Sequence, residues 1–275
     1  MPKAQAIHNQ QPIGIFDSGI GGLTVAKAIK HLLPTEQLVY FGDTAHLPYG
    51  DKSTASIQAY SVKIAQFLLD QGVKMIVIAC NSASAAAFDL VEAYVNGKVP
   101  VVNVIDPAVS MATSRYADAA IGVIGTKQTI QSGVYERKIH AISPATQVCA
   151  LATPLLAPMI EEGFFNKNIS LQIIKAYLTA PELAPIKALI LGCTHYPLIR
   201  QEVEQWYQGR VEVIDASAYV ALAVKQQLEQ HALLNLTGTK GKDKFFVSDY
   251  TEAFEKATRI FFGQKVSLKH YPLWD

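Results

Sequence analysis

The 275-residue chain carries 24 Lys and Arg against 23 Asp and Glu, so its net charge is only +1, and half of its residues are hydrophobic. That balance leaves no global basic footprint for nucleic acid and supplies apolar material for one large or two ordinary domains. No run approaches the ~20 apolar residues of a membrane span, the polar stretch Met1 to Gln11 lacks a signal-peptide core, and three cysteines do not make a disulfide framework. The expectation is a cytoplasmic protein with reduced thiols and neither a nucleic-acid nor a membrane partner.

Short apolar runs alternate with helical patterns along the chain. Strands are predicted over Ile13 to Phe16, Leu38 to Gly42, Met75 to Ala79 and Val99 to Val104, with helices over about Leu23 to Leu33, Ser53 to Gln71 and Ser82 to Tyr94. The scheme repeats with strands Ala120 to Gly125, Gln147 to Leu151, Lys187 to Leu191 and Val211 to Ile214. Its helices span about Thr129 to Ile142, Pro154 to Gly163, Ser170 to Ala180 and Leu198 to Tyr207. Such alternation predicts parallel sheets flanked by helices. A domain change is expected near Asp106-Pro107, because proline disfavours helix just before it. From Asp215 onward come a long helix, a strand (Lys244 to Ser248), a helix (Thr251 to Phe262) and a short last strand. They either complete the second unit or return to the first. The hydrophilic stretch 237–242 reads as a surface loop.

Two cysteines stand in matched places. Ala79-Cys80-Asn81-Ser82 and Gly192-Cys193-Thr194-His195 each follow a buried-strand run and precede a helix. Ligands of open α/β sheets bind at such strand ends, and a helix start stabilises a thiolate. The match suggests one site with a sulfur on either side. Cys149 lacks this context and is assigned to the core. A zinc site of Cys80, Cys193 and His195 would lack any familiar ligand spacing, so no metal is expected. His8, His31, His46, His140, His231 and His270 default to surface or structural roles.

The turn Asp17-Ser18-Gly19-Ile20-Gly21-Gly22 offers free N–H groups to an anion but lacks a nucleotide fingerprint. Asp17 is either a turn cap or a site residue. Pro48-Tyr49-Gly50 is ordinary turn chemistry on its own, and Asn81, Ser82 and Thr194 are either helix caps or donors to a small substrate.

Taken together, Phe16-Asp17-Ser18-Gly19-Ile20-Gly21-Gly22-Leu23-Thr24-Val25, Tyr40-Phe41-Gly42-Asp43-Thr44, Pro48-Tyr49-Gly50, Ala79-Cys80-Asn81-Ser82-Ala83-Ser84 and Gly192-Cys193-Thr194-His195-Tyr196-Pro197-Leu198 resemble the glutamate racemase family of the cofactor-independent Asp/Glu racemase superfamily. The segments 121–126 and 153–163 extend the resemblance, which runs from about Ile13 to Tyr219. It implies an α/β fold of two similar parallel-sheet domains related by a pseudo-twofold, with the active site in the cleft between them. Residues 1–105 plus 220–275 would form the first domain and 106–219 the second. The implied reaction interconverts L- and D-glutamate, supplying D-glutamate for peptidoglycan, with no cofactor and with a homodimer as one arrangement it allows.

The resemblance makes Cys80 and Cys193 the acid–base pair, with Asp17 assisting Cys80 and His195 assisting Cys193. Ser18, Pro48, Tyr49, Gly50, Asn81, Ser82, Thr126 and Thr194 would hold the substrate, and Glu162 would contact its ammonium or His195. Two departures from the family pattern stand out: His46-Leu47 where Arg is common before Pro-Tyr-Gly, and Ser82 where Thr is usual. The rival readings are a racemase for aspartate or another small acid, a thiol hydrolase or transferase using one cysteine with His195 as base, and a non-catalytic amino-acid-binding protein.

Overall fold

The computed structural model describes residues 7–165, 167–238 and 241–275. Thr239 and Lys240 of the predicted surface loop, and residues 1–6 of the polar N-terminal stretch, lie outside them. The strands are β1 (Ile13–Asp17), β2 (Leu38–Gly42), β3 (Met75–Ile78), β4 (Val101–Asn103), β5 (Ile121–Gly125), β6 (Val148–Ala152), β7 (Ala188–Gly192), β8 (Glu212–Ile214), β9 (Lys244–Val247) and β10 (Leu268–His270). They form two wholly parallel sheets, ordered β10-β9-β2-β1-β3-β4 and β6-β5-β7-β8. The order β2-β1-β3-β4 in the first is repeated as β6-β5-β7-β8 in the second. The last two strands join the first sheet through β2, with Tyr40 opposite Phe245.

The apolar runs form central strands because both faces of each sheet are covered. In β1, Ile13 and Ile15 belong to one core cluster and Phe16 to the other; in β3, Met75 and Val77 face one way and Ile76 and Ile78 the other. This is the two-residue alternation of a pleated strand. The larger cluster continues from the first sheet into β5 and β7, so one core spans both sheets. Beside β3, Lys74 and Glu36 form a buried ion pair at 2.5 Å, and the Lys74 ammonium also donates to the Leu233 carbonyl at 2.8 Å. Such a pair is tolerated only when its remaining hydrogen-bonding capacity is filled.

Three predictions change. The single helix expected over Thr129 to Ile142 is two helices, Lys127–Gln131 and Val134–Ile142, because Gly133 takes φ +63° between them. A helix unanticipated between β4 and β5 spans Ile105–Tyr116, and Asp106-Pro107 lies in its first turn. Proline is accommodated there because first-turn N–H groups have no intrahelical partner. The change of sheet falls across this helix. Finally, the helix after Cys193 begins as a 3₁₀ turn, Tyr196–Ile199, before Arg200–Tyr207.

Among the described residues, no helix is long and apolar enough to cross a membrane.

Candidate active site

The strand ends of the two sheets meet around a cavity of about 40 Å³. From the first sheet come Ser18, Pro48, Tyr49, Gly50, Cys80, Asn81 and Ser82, and from the second Thr126, Cys193, Thr194 and His195. Every residue anticipated from the sequence therefore lines it except Asp17, fully buried behind it, and Glu162. Leu47, Ala157, Pro158 and Glu161 complete the wall. A larger groove of about 610 Å³ between the helices Ile105–Tyr116 and Ser217–Gln230 contains neither thiol nor any of these groups.

Cys80 follows β3 and caps the helix Asn81–Val95, its sulfur accepting the Ala83 N–H at 3.5 Å and lying 3.6 Å from the Ser18 hydroxyl. Burial, reinforced by the charge of Asp17, pushes the Cys80 thiol up to about 12, with the Ala83 and Ser18 contacts opposing. Asp17 ends β1. Its carboxylate accepts the Gly19 N–H at 2.9 Å and faces the Thr194 hydroxyl at 3.5 Å. Burial raises its pKa, against the opposing pull of His195 and the turn N–H groups.

Cys193 follows β7, and its sulfur lies 3.7 Å from Nδ1 of His195. The other ring nitrogen, Nε2, meets Glu161 at 2.8 Å. Burial works against a charged imidazole here, but hydrogen bonds to Cys193 and Glu161 outweigh it and hold the His195 pKa well above its ordinary value. Each ring nitrogen thus faces a partner that favours the charged imidazole. All three cysteines are free, and Cys149 sits in the core as expected.

Glu162 does not reach His195, one of the two contacts expected of it. It caps the helix Leu156–Glu161 and is exposed, while its neighbour Glu161 reaches His195. Successive helical residues point about 100° apart, so only one of the two carboxylates can face inward. The spacing alone does not separate them, because Pro158 lies three residues before Glu161 and four before Glu162.

Several contacts tie the halves together at the site. Ser82 and Thr126 hydroxyls meet at 2.9 Å, Tyr135 donates to Asn81 at 2.8 Å, and Thr24 donates to the Thr194 carbonyl at 3.0 Å. At Gly21 the approach is closest, since an added Cβ would fall 2.4 Å from His195 Cε1 and 2.6 Å from Thr194 Oγ1. Only glycine lets the first helix start so near the imidazole. Among the described residues, no three His, Cys, Asp or Glu side chains are grouped to hold a metal ion.

The Asp/Glu/hydantoin racemase family model matches residues 21–224. A glutamate racemase of Geobacter metallireducens is 39% identical over 254 residues, covering 92% of this chain and 93% of the relative. One from Chlorobaculum parvum is 40% identical over 255 residues, covering 93% of each. The crystal structure of glutamate racemase from Francisella tularensis in complex with D-glutamate superposes with a TM-score of 0.91 at 38% identity, covering 97% of this chain and 99% of that one.

Proposed function

The chain belongs to the Asp/Glu/hydantoin racemase family and is an amino-acid racemase, and from that premise we propose that it interconverts L- and D-glutamate with two cysteines as the acid–base pair. The observation that carries the reading is the placing of two thiols, from separate sheets, on one small cavity with a titratable partner beside each. A single base that removed and returned the α-proton would tend to regenerate the same enantiomer. Two groups on opposite faces avoid this, one as thiolate taking the proton and the other as thiol giving one.

The two sides differ. Burial raises the Cys80 pKa and favours its thiol form, while His195, held well above its ordinary pKa, places a cation beside the Cys193 sulfur. Cys193 then removes the α-proton from one enantiomer and Cys80 protonates the opposite face of the carbanion. For the reverse direction Cys80 must lose its proton. Transfer to Asp17 leaves the total charge unchanged and removes the like-charge repulsion that ionising Cys80 would otherwise meet. Ser18, Asn81, Ser82, Thr126 and Thr194, with the N–H groups at the helix starts, hold the carboxylates and stabilise developing charge. Glu161 takes the role first expected of Glu162 and keeps His195 charged and oriented. In this reading, residues 1–105 with 220–275 form one domain and 106–219 the other, the substrate entering where they part. The product would be D-glutamate for peptidoglycan, made in the cytoplasm.

Proton NMR of L-glutamate in deuterated water with the purified protein, chelator present and no cofactor added, tests this when followed by chiral analysis. The α-proton signal should vanish as D-glutamate appears. Exchange with aspartate but not glutamate would change the substrate, and exchange with neither would remove the racemase mechanism.

A further inference from the structure

The loop after β2 carries Pro48, Tyr49 and Gly50 to the cavity wall, and its shape depends on one carboxylate outside the cavity. Asp43, fully buried, accepts donors on both oxygens. Trp274 Nε1 and the Ser248 hydroxyl reach Oδ1 at 2.7 and 2.8 Å, while the Tyr49 hydroxyl reaches Oδ2 at 2.6 Å and His46 Nδ1 at 3.0 Å. A carboxylate taken from water is tolerated when its lone pairs are filled in this way. Two donors belong to the loop and two come from more than 200 positions later in the chain.

Aromatic packing holds the Trp274 donor in place. His46 stacks on Tyr60 at 4.0 Å and meets Trp274 edge-on at 4.6 Å, Tyr60 meets the same indole at 5.3 Å, and the Lys63 ammonium lies 4.8 Å from its ring centre. His46, one of the two departures from the family pattern, is therefore part of this clamp and does not line the cavity.

We propose that Trp274 is a positioning residue of the active site: through Asp43 it fixes Tyr49, and with Tyr49 the Pro48-Tyr49-Gly50 wall against which the substrate binds. The substrate part of this inference rests on the glutamate reading above; the ordering of the loop does not. Without the indole N–H, Oδ1 keeps Ser248 as its short donor, and the carboxylate is free to turn away from Tyr49. Trp274 itself does not line the cavity.

The test compares wild type, Trp274→Phe, Tyr49→Phe and the double variant. Phenylalanine keeps an aromatic ring among His46, Tyr60 and Lys63 and removes the N–H donor together with the fused five-membered ring. Amide hydrogen exchange over residues 44–50 should become several-fold faster in Trp274→Phe, with β7 unchanged. KM for glutamate should rise about 3- to 10-fold, the size of one lost hydrogen bond, with kcat within about twofold. In the Tyr49→Phe background the same substitution should add little, because the pathway to the wall is already cut. Unchanged exchange over 44–50, or an equal KM effect in both backgrounds, overturns the proposal. If the wild type racemises no glutamate, the functional reading fails, and the exchange measurement still decides whether Trp274 orders the loop.

Discussion

Cys80 and Cys193 end corresponding strands, β3 and β7, in sheets that share one strand order, yet the chain supports them differently. Cys80 caps a regular 15-residue helix and is opposed by a carboxylate from a neighbouring strand, β1. Cys193 opens onto a 3₁₀ turn, and its partner, His195, comes from the same turn and is backed by Glu161. At the end of β5, where the first sheet has Asp17 at the end of β1, the second has Gly125 and then Thr126. A repeated scaffold thus gives two thiols in matched positions with unlike neighbours. The proposed reaction draws on that difference, since in each direction one sulfur must take a proton while the other gives one.

The largest effect should come from removing either sulfur. Cys80→Ala and Cys193→Ala should each cut racemisation in both directions by about 10³-fold or more, near the upper range for a positioned acid–base group. Chiral assay of each single variant checks this. Wild-type rates from either would break the pairing and leave one cysteine as structural.

Next come the partners, which sharpen the comparison by separating the two faces. Asp17→Asn and His195→Asn should each lower kcat/KM about 10²-fold. Enantiomers are equally stable, so kcat/KM must remain equal in the two directions for any variant. The asymmetry should emerge in primary isotope effects with α-deuterated substrates: one variant enlarges the effect for L-glutamate, the other for D-glutamate. If both enlarge it for the same enantiomer, Asp17 and His195 do not serve opposite faces.

The matched strand–cysteine–helix units were legible because buried parallel strands are continuous apolar runs and a helix start follows each at once. Met75 to Ala79 and Lys187 to Leu191 match β3 and β7 within one residue at either end. What the sequence could not show was the direction of side chains in short or irregular elements. The helix Leu156–Glu161 is six residues long, so adjacent glutamates could not be told apart by a longer apolar pattern. The clamp on Asp43 was equally hidden, because Ser248 and Trp274 reach it only after β9 and β10 return to the first sheet. The helix around Pro107 was missed for a local reason: the effect of a proline depends on where in a helix it falls.

Glu161 and Glu162 give a smaller, sharper test. Because Glu161 helps raise the His195 pKa, Glu161→Gln should lower it. If protonated His195 is required, activity falls as pH rises through its pKa, so the alkaline limb of the pH–rate profile should move to lower pH. The loss at pH 8 should be about 10-fold, below the 10²-fold or more of a group that itself transfers the proton because Glu161 acts through His195, while Glu162→Gln stays near wild type. An unmoved alkaline limb in Glu161→Gln would detach this carboxylate from the Cys193 side.

The smallest effect concerns a bond between the halves. Ser82, on the Cys80 helix, meets Thr126 at 2.9 Å and Thr129 at 3.3 Å, so the hydroxyl contributes to closure as well as to the cavity wall. Ser82→Ala removes one net hydrogen bond, about 1 kcal/mol, and should raise KM about fivefold. Ser82→Thr keeps the hydroxyl and adds a methyl at a position only 2% exposed. Buried methyl groups are felt when there is no room for them, but the family pattern commonly has Thr here, so the variant should stay within about twofold of wild type. A fall in Ser82→Thr as large as in Ser82→Ala would show that space at this contact, and not the hydroxyl across it, sets how the two sides meet.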